Sequence, residues 1–506
     1  MNRQGRHATA AKIAAVLLLS VGWLSSCSKK SLSSSMSGGA SVAGTPSQFY
    51  TPTDAVYDVK YTDQTVRIDF PTVQKALRAV SPDGSALVFD STDPRLQGLT
   101  IGKVLFLEHL GVRRIVDVEQ QGSQVGLITQ AASISDFIQD GHIKFTAPMS
   151  SLRAHAEIFP TSDSDSLMER LGGLLLEPRL AYADTPNKAS IGLHAQGKVD
   201  DWEFEASATR QSDGINMTLS ATKDLGGIKA KVTAAGDVSK ISSSFNADVK
   251  GGKVQNFQYN TPLKGTLHIT FAALTKGVPG QSLGIGEPRL ALPPLAKDVI
   301  DVYGLPFLFQ INVNLIFKPG FGTPHDAASG GFDVNYDGVG GLIVQGSQSS
   351  TNGNMQATPS VQNTTSESMA AHGIVLAVNA PKISLSIGTD SFKEALNQLL
   401  PQTVTSWSWF QQLQQKLFSK KLSDQKGPGD FFKINGGAYV QLVEEFDYSA
   451  SGPLSLVPCT VTDFNMFAQA GADAQVLAIQ AKSPSVEWFK SSKRWRNPDS
   501  DICGPK

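Results

Sequence analysis

The chain of 506 residues is long enough for several domains, and its charge is nearly balanced, with 44 Lys and Arg against 45 Asp and Glu. This balance excludes the basic excess of a nucleic-acid-binding surface and the acidic bulk of a disordered solvating chain. The 46 Gly and 26 Pro are typical of a chain rich in strands and turns, and the three cysteines are too few for a small disulfide-dense scaffold.

The N-terminus has the features of an export signal. Basic residues precede an apolar core at residues 13–24, which is too short to span a bilayer as a helix. The core runs into Leu-Ser-Ser-Cys at 24–27, and here the sequence resembles the lipobox of a bacterial lipoprotein precursor. The resemblance covers residues 1–27 only. It implies that the signal peptide, residues 1–26, is removed and that Cys27 becomes a lipidated N-terminus; the alternative is an ordinary secretory signal with a cysteine at its end by chance.

The residues after Cys27 extend this expectation. In lipoproteins of bacteria with two membranes, Asp at the next position resembles a signal for retention in the inner membrane, so Ser28 implies the outer membrane. Residues 27–48 are rich in Ser, Gly and Ala and cannot bury enough apolar surface to become ordered, which predicts a flexible tether. We therefore expect a protein held at the outer membrane by its lipid, facing either the periplasm or the outside.

Residues 49–160 predict a small β-rich domain. Strand-like runs alternate with turns, and short helical segments are predicted at Val73–Val80 and Ile134–Ile138. Residues 161–188 carry leucines at helical spacing, interrupted by a Gly pair. This pattern predicts a linker with an amphipathic helix, and a mobile flap is the alternative.

Residues 189–275 carry the clearest pattern in the chain. Apolar and polar residues alternate in seven runs, and six of these contain an apolar residue that recurs every 13 positions: Trp202, Ile215, Ile228, Ile241, Val254 and Leu267. Alternation with a period of two predicts strands with one apolar and one solvated face. Short turns between the runs predict an antiparallel meander of seven strands.

Residues 189–380 together predict a large antiparallel β domain. Alternation in Phe309–Phe317 predicts a further strand, and Asp337-Gly338 predicts the two-residue turn of a hairpin. The polar, weakly charged run at 346–370 predicts a long exposed loop.

Residues 381–430 predict a pair of helices. A capping box at Ser391–Glu394 opens the first helix, and Pro401 ends it. The second helix, from Thr405 to Leu422, is rich in aromatic residues. Core packing, a lid over an apolar groove and contact with a membrane surface are its three possible roles.

Residues 431–506 predict C-terminal strands and a polar tail, and they contain Cys459 and Cys503. If Cys27 is lipidated, two thiols remain in a compartment that permits disulfides, which predicts one bridge between them. Such a bridge closes a loop of about 45 residues and contributes roughly 4 kcal/mol in the chain-entropy model. A metal site is less well supported, because neither cysteine has a second Cys or a His nearby.

Three motifs with chemical meaning are weak. Ser282 lies in a G-x-S-x-G at 280–284, but the Pro-containing segment that follows cannot begin a helix cleanly, so we interpret it as a chance match and predict no enzyme. Residues 333–338 match the first half of a calcium loop, yet Val344 stands where a bidentate Glu is required. The eight histidines are too far apart in sequence for a local metal site, so we predict neither metal nor cofactor.

The predicted fold class is mainly β, an antiparallel meander with a few short helices that forms a sandwich or an open, curved, barrel-like sheet in a multi-domain chain. Two functions remain. In the first, the protein binds an apolar or amphipathic ligand, such as a lipid, between the sheet at 189–275 and the helices near 391–422. Alternatively it is a structural or interaction protein with a solid core that binds another envelope protein or a glycan. An apolar cavity under the meander favours the first function and a filled core the second.

Overall fold

The computed structural model describes residues 49–151, 192–275, 289–319, 327–366, 372–403, 435–450, 459–472 and 486–503, apart from positions 91, 92, 200, 201, 212, 226, 227, 292–295, 401 and 402. Five sequence predictions lie outside these residues: the signal peptide with Cys27, the tether, the linker at 161–188, the motif at 280–284 and the second helix at 405–422. The described residues belong to one unit, Gly44–Lys506.

The described chain is mainly β, as the sequence predicts. Its first part forms β1 (Val56–Tyr61), β2 (Thr65–Ile68), α1 (Phe70–Ala76), β3 (Leu77–Val80), β4 (Ala86–Asp90), α2 (Pro94–Gln97), β5 (Val104–Leu107), β6 (Gly111–Gln121), β7 (Gln124–Ala131), α3 (Ile134–Phe137) and β8 (Ile138–Pro148). The middle part forms β9 (Gly192–Val199), β10 (Trp202–Arg210), β11 (Ile215–Leu225), β12 (Ile228–Ser239), β13 (Ser242–Lys250), β14 (Lys253–Thr275), β15 (Arg289–Ala291), β16 (Ala296–Val302), β17 (Leu305–Pro319), β18 (Ala327–Gln345), β19 (Gln348–Thr351) and β20 (Gln356–Ser366). The last part forms β21 (His372–Gly388), α4 (Thr389–Leu399), β22 (Asn435–Ala450), β23 (Thr460–Ala472) and β24 (Val486–Asn497). Short 3-10 turns lie at Met149–Ser151 and Asp501–Cys503.

The strands form three sheets. The N-terminal sheet has six strands in the order β2-β5-β6-β7-β4-β3, and its β2-β5 pair is parallel. The large sheet has eleven strands, with a main path β1-β8-β13-β14-β12-β11-β10-β9 and with β18, β19 and β20 on the other side of β14. The C-terminal sheet has seven strands, in the order β15-β17-β21-β22-β23-β24 with β16 beside β17.

The meander has six strands between residues 192 and 275 and not the predicted seven. Pro262 to Gly265 is not a turn, because β14 runs without interruption through it. The pairing of β13 with β14 ends at Asn260, and the pairing of β12 with β14 begins at Lys264. Pro262 therefore falls between two neighbouring strands on that side, where its missing N–H breaks no ladder hydrogen bond.

The predicted hairpin at Asp337-Gly338 is also a continuous strand, because β18 pairs with β14 along its whole length. Gly338 is required by a close approach, since a Cβ there would lie 2.5 Å from the Cα of Met355. The turn lies instead at Gly346, and β19 and β20 follow it. The polar run at 346–370 thus contains two strands where a loop was predicted, since polar side chains suit a sheet face that is open to solvent.

The short helices lie close to their predicted positions, but the first is shifted. It begins at Phe70 and not at Val73, because the Asp69 carboxylate accepts the Thr72 N–H at 2.9 Å and a proline stands in the first turn. It ends at Ala76, and Leu77–Val80 continues as β3. The helix predicted from the capping box near Ser391 is present as α4.

The large and C-terminal sheets pack face to face as a sandwich. Aromatic rings from both sheets meet in the core, where the ring centroids lie 4.9 Å apart for Phe145 and Phe307, 5.1 Å for Phe245 and Phe307 and 5.5 Å for Phe332 and Phe464. In both sheets the buried residues alternate along the strands with residues that are more exposed, as a period of two requires.

A second core joins the N-terminal sheet to the sandwich. Its fully buried residues come from three parts of the chain and include Leu105, Leu107, Val299, Leu308, Phe392 and Ala395. The predicted separate domain at 49–160 is therefore not observed, because β1 and β8 belong to the large sheet while β2–β7 form the N-terminal sheet. Turn signals in a sequence mark where strands end, but they do not indicate which sheet a strand joins.

Candidate binding site at the junction of the three sheets

The predicted disulfide is present in the structure. Cys459 and Cys503 are bonded, with their Cα atoms 5.5 Å apart. The bridge holds the C-terminal tail next to the start of β23. Beside it the Arg496 guanidinium, which is almost fully buried, donates to Asp499 at 2.9 Å and to Asp501 at 3.2 Å. These contacts make the tail a packed part of the C-terminal sheet.

The half-match to a calcium loop lies on β18, where two of its acidic residues face basic groups of β14. The Asp333 carboxylate pairs with His268 on β14, and the Asp337 carboxylate lies 3.4 Å from the Lys264 Nζ. Each acid thus faces a basic group across the ladder. Within the described residues, no three His, Cys, Asp or Glu side chains lie together as metal ligands would.

The strongest candidate site lies where two tight turns from different sheets touch. One turn joins β5 to β6 and contains His109, and the other joins β16 to β17 and contains Tyr303 and Gly304. His109 has φ 64° and Tyr303 has φ 52°, which places both in the left-handed region that residues other than glycine seldom adopt. Gly304 continues the second turn with φ 91°. Backbone of this kind persists only where the surroundings hold it, and it clusters at functional sites.

The two turns are held by a buried set of hydrogen bonds, which we call the clamp (His109, Asp301 and Gly304). The His109 Nδ1 lies 3.0 Å from the Asp301 Oδ1, and the two side chains are only 5% and 1% exposed. The His109 N–H donates to the Gly304 carbonyl at 2.7 Å, and the Gly304 N–H donates to the Asp301 Oδ2 at 3.2 Å. Both carboxylate oxygens of Asp301 are therefore used, one on each turn.

Aromatic rings surround the clamp. Phe70 places its ring edge against His109, with the ring centroids 5.7 Å apart. The Tyr303 ring stacks on Tyr57 of β1 at a centroid distance of 5.9 Å, and Tyr303 remains 45% exposed. The Tyr57 hydroxyl lies 3.3 Å from the Tyr61 hydroxyl. Burial, together with the nearby Tyr61, raises the pKa of the Tyr57 phenol well above its usual value, so Tyr57 is uncharged at neutral pH.

An ion pair lies beside the stacked tyrosines. The Arg67 Nε donates to the Glu108 Oε1 at 2.5 Å, and the Arg67 side chain is half exposed. Glu108 also packs on the second turn, since a Cβ added at Gly304 would lie 3.5 Å from the Glu108 Cγ. The exposed part of the site thus consists of the Tyr303 ring and the Arg67 guanidinium, and the Glu108 carboxylate that pairs with Arg67 is only 17% exposed. The ion pair carries no net charge. We call this surface the junction patch.

The junction patch offers recognition chemistry more readily than catalysis. It presents an aromatic face with one phenol hydroxyl, a guanidinium donor and a carboxylate acceptor. The one histidine in the site is buried, and its Nδ1 is engaged by Asp301. A general base must reach the proton that it removes, and His109 is enclosed by the clamp and Phe70.

Sequence reasoning missed this site for a clear reason. His109 and Asp301 lie 192 positions apart, and neither stands in a motif. The one local signal is Tyr303-Gly304 between two apolar strands, which indicates a tight turn but not its contact with another sheet.

A second His–Asp pair lies on the solvent face of the large sheet and makes a useful comparison. The His142 Nδ1 lies 2.6 Å from the Asp248 Oδ1, and these side chains are 38% and 43% exposed. Asn256 donates to the other carboxylate oxygen of Asp248 at 3.1 Å. This pair has the chemistry of the clamp without its burial.

Among the residues that the structure describes, no helix combines the length and the apolar character that crossing a bilayer requires. No curated protein and no solved structure matches the chain. The family model that does match describes a domain of unknown function (DUF8403) and covers residues 47–140, so the matched segment contains Tyr57, Arg67 and His109, whereas Asp301 and Tyr303 lie beyond it.

Proposed function

We propose that this protein is a lipid-anchored protein of the bacterial outer membrane that binds another envelope component, a glycan or a protein, with its β-rich body. The lipobox-like sequence at 24–27 supports the anchor at Cys27, and the Ser/Gly-rich segment after it supports a tether between the lipid and the body. The body then works within reach of the membrane.

We choose a binding protein with a filled core because of the side-chain packing beneath the large sheet. Tyr259, near the middle of β14, is fully buried, and its hydroxyl lies 2.9 Å from the Ser243 Oγ. Phe245 contacts Phe257 at a centroid distance of 5.4 Å and Phe145 at 5.2 Å. Rings in direct contact fill this part of the sandwich, and a ligand pocket for a lipid needs roughly 300–1,000 Å³.

The alternative, an apolar ligand held between the meander and the helices near 391–422, has less support. α4 packs against β6, β16, β17 and β21, and strands β14, β18, β19 and β20 of the large sheet contact β22, β23 and β24 of the C-terminal sheet. The second helix of the predicted groove lies outside the described residues. Finding a bound lipid would favour this alternative over the proposed function.

Three measurements test the proposal. In cells grown with an alkyne-labelled fatty acid, the wild-type protein should carry the label and a Cys27→Ala variant should not. An unlabelled wild type would refute the lipid anchor at Cys27. Native mass spectrometry after gentle extraction should show the body without stoichiometric lipid, and a co-purified lipid would favour the alternative function. The detergent-purified protein should bind delipidated envelope fragments of its host saturably, and failure to bind would refute the proposed function.

A further inference from the structure

We propose that the junction patch is a glycan-binding subsite, with the Tyr303 ring as a stacking platform and the Arg67–Glu108 pair as the source of directional hydrogen bonds. This inference rests on the proposed function and narrows it, because it chooses a glycan over a protein as the envelope component and names the surface that binds it.

The first argument is the cost of placing Tyr303 where it is. A left-handed backbone at a residue other than glycine costs of order 1 kcal/mol, and the site holds two such residues, His109 and Tyr303, one on each turn. Glycine would remove this cost at either position. The buried hydrogen bonds of the clamp hold the turn in place, and the Tyr57 ring stacks on the Tyr303 ring at a centroid distance of 5.9 Å. Nearly half of Tyr303 is nevertheless left in solvent, where it contributes little to folding.

The second argument is the chemistry of the exposed atoms. The C–H bonds of a sugar ring are weakly positive, and they pack favourably against the negative face of an aromatic ring. The hydroxyls of a sugar both donate and accept hydrogen bonds, and Arg67 and Glu108 supply one partner of each kind. The ion pair is 2.5 Å long and leaves no net charge, which suits an uncharged polyol better than an anionic lipid headgroup or a nucleic acid.

The third argument is shape. Glu108 lies against Gly304, which follows Tyr303 in the chain, so the ion pair stands next to the turn that carries the ring. Both parts stand on turns or strand ends that the buried clamp fixes, which presents the groups with little further loss of conformational freedom on binding.

The test uses the full-length protein in detergent and delipidated envelope fragments of the host, left untreated, oxidised with periodate to open sugar diols, or digested with protease. Tyr303→Asn removes the ring with a residue that tolerates the left-handed backbone. Tyr303→Phe keeps the ring and loses only a hydroxyl that lies 3.5 Å from the Ala55 carbonyl. Arg67→Gln breaks the ion pair at a half-exposed position, and Ile101→Asn is the control because Ile101 is another apolar side chain that is 65% exposed.

We expect the wild type to bind untreated and protease-digested fragments and to lose binding to oxidised ones. Tyr303→Asn and Arg67→Gln should each weaken binding by about tenfold or more, and Tyr303→Phe should weaken it less than Tyr303→Asn does because it keeps the ring; Ile101→Asn, outside the patch, should stay within about twofold of the wild type. The glycan subsite is overturned if Tyr303→Asn and Arg67→Gln bind as the wild type does, or if protease and not periodate removes binding; the proposed function survives either result. A wild type that binds none of the fragments refutes the proposed function itself, before any variant is compared.

Discussion

Replacing Asp301 with Ala is the sharpest test of the clamp. The change removes the carboxylate that accepts the Gly304 N–H at 3.2 Å and that pairs with the His109 Nδ1 at 3.0 Å, and both partners are buried. Each buried donor that loses its acceptor costs about 1–3 kcal/mol, so the two together predict a loss of about 2–6 kcal/mol in the free energy of unfolding. Urea unfolding followed by fluorescence and circular dichroism measures this loss.

The matched control is Asp248→Ala, which breaks the His–Asp pair on the open face of the large sheet. His142 and Asp248 are each about two-fifths exposed, so water replaces the lost partner, and the expected cost is less than about 1 kcal/mol. Equal losses for the two variants would refute the claim that burial makes the clamp important. A stable Asp301→Ala protein would mean that the two turns hold their left-handed residues without it.

Four further predictions concern the rest of the body. Phe392→Ala should cost about 3–5 kcal/mol in urea unfolding, because the ring is fully buried and a Cβ added at Gly84 would lie only 3.1 Å from it; a cost below about 1 kcal/mol would mean that α4 is dispensable for docking the N-terminal sheet. Burial raises the pKa of Tyr259 to about 12, so the neutral phenol stabilises the folded state below pH 10 and this contribution is lost between pH 10 and 12. In Tyr259→Phe the free energy of unfolding should therefore fall less over that range. An unchanged dependence of the unfolding free energy on pH would contradict the assignment. Replacing both Cys459 and Cys503 with Ser should lower stability by about 2–4 kcal/mol and expose the tail to protease, and an unaltered digestion pattern would show that the tail is held without the bridge. A fragment with residues 47–140 alone should show no cooperative unfolding, because it lacks most of β8 and all of the buried partners from β16, β17 and α4; a sharp transition would show that the matched segment is an independent domain.

Local periodicity was a good guide to the strands of the sandwich. The alternation in 192–275 predicts the inward residues of β11 to β14, because a sheet with one buried face leaves that pattern whatever its neighbours are. The turn signals were less reliable. Pro262 and Gly338 lie inside long strands, and each has a tertiary reason to be there: one falls between two pairing strands and the other beneath Met355. A sequence shows that a residue is unusual for a strand, but not that a neighbouring chain segment makes it suitable.

The candidate site could not be derived from the sequence in the same way. Its residues come from β1, β2, β16 and the turns after β5 and β16, and they meet only because three sheets come together there. Each residue alone has an ordinary explanation: Arg67 suits an exposed strand position, and His109 suits a turn. The disulfide was predictable, by contrast, because counting thiols requires no knowledge of topology.

The placement of the site also determines which folding events it depends on. The N-terminal sheet contributes His109 and Arg67, the C-terminal sheet contributes Asp301 and Tyr303, and the large sheet contributes Tyr57. Each turn has local support, from the Leu110 N–H to the Leu107 carbonyl at 3.0 Å and from the Gly304 N–H to the Asp301 Oδ2 at 3.2 Å. The N–H of His109 and the other carboxylate oxygen of Asp301 are satisfied across the interface between the sheets. A local opening that separates the N-terminal sheet from β16 and β17 would therefore dissolve the junction patch while most of the sandwich core stays closed. Binding at the patch would in turn favour the closed arrangement, because a ligand stabilises the state that holds its site intact.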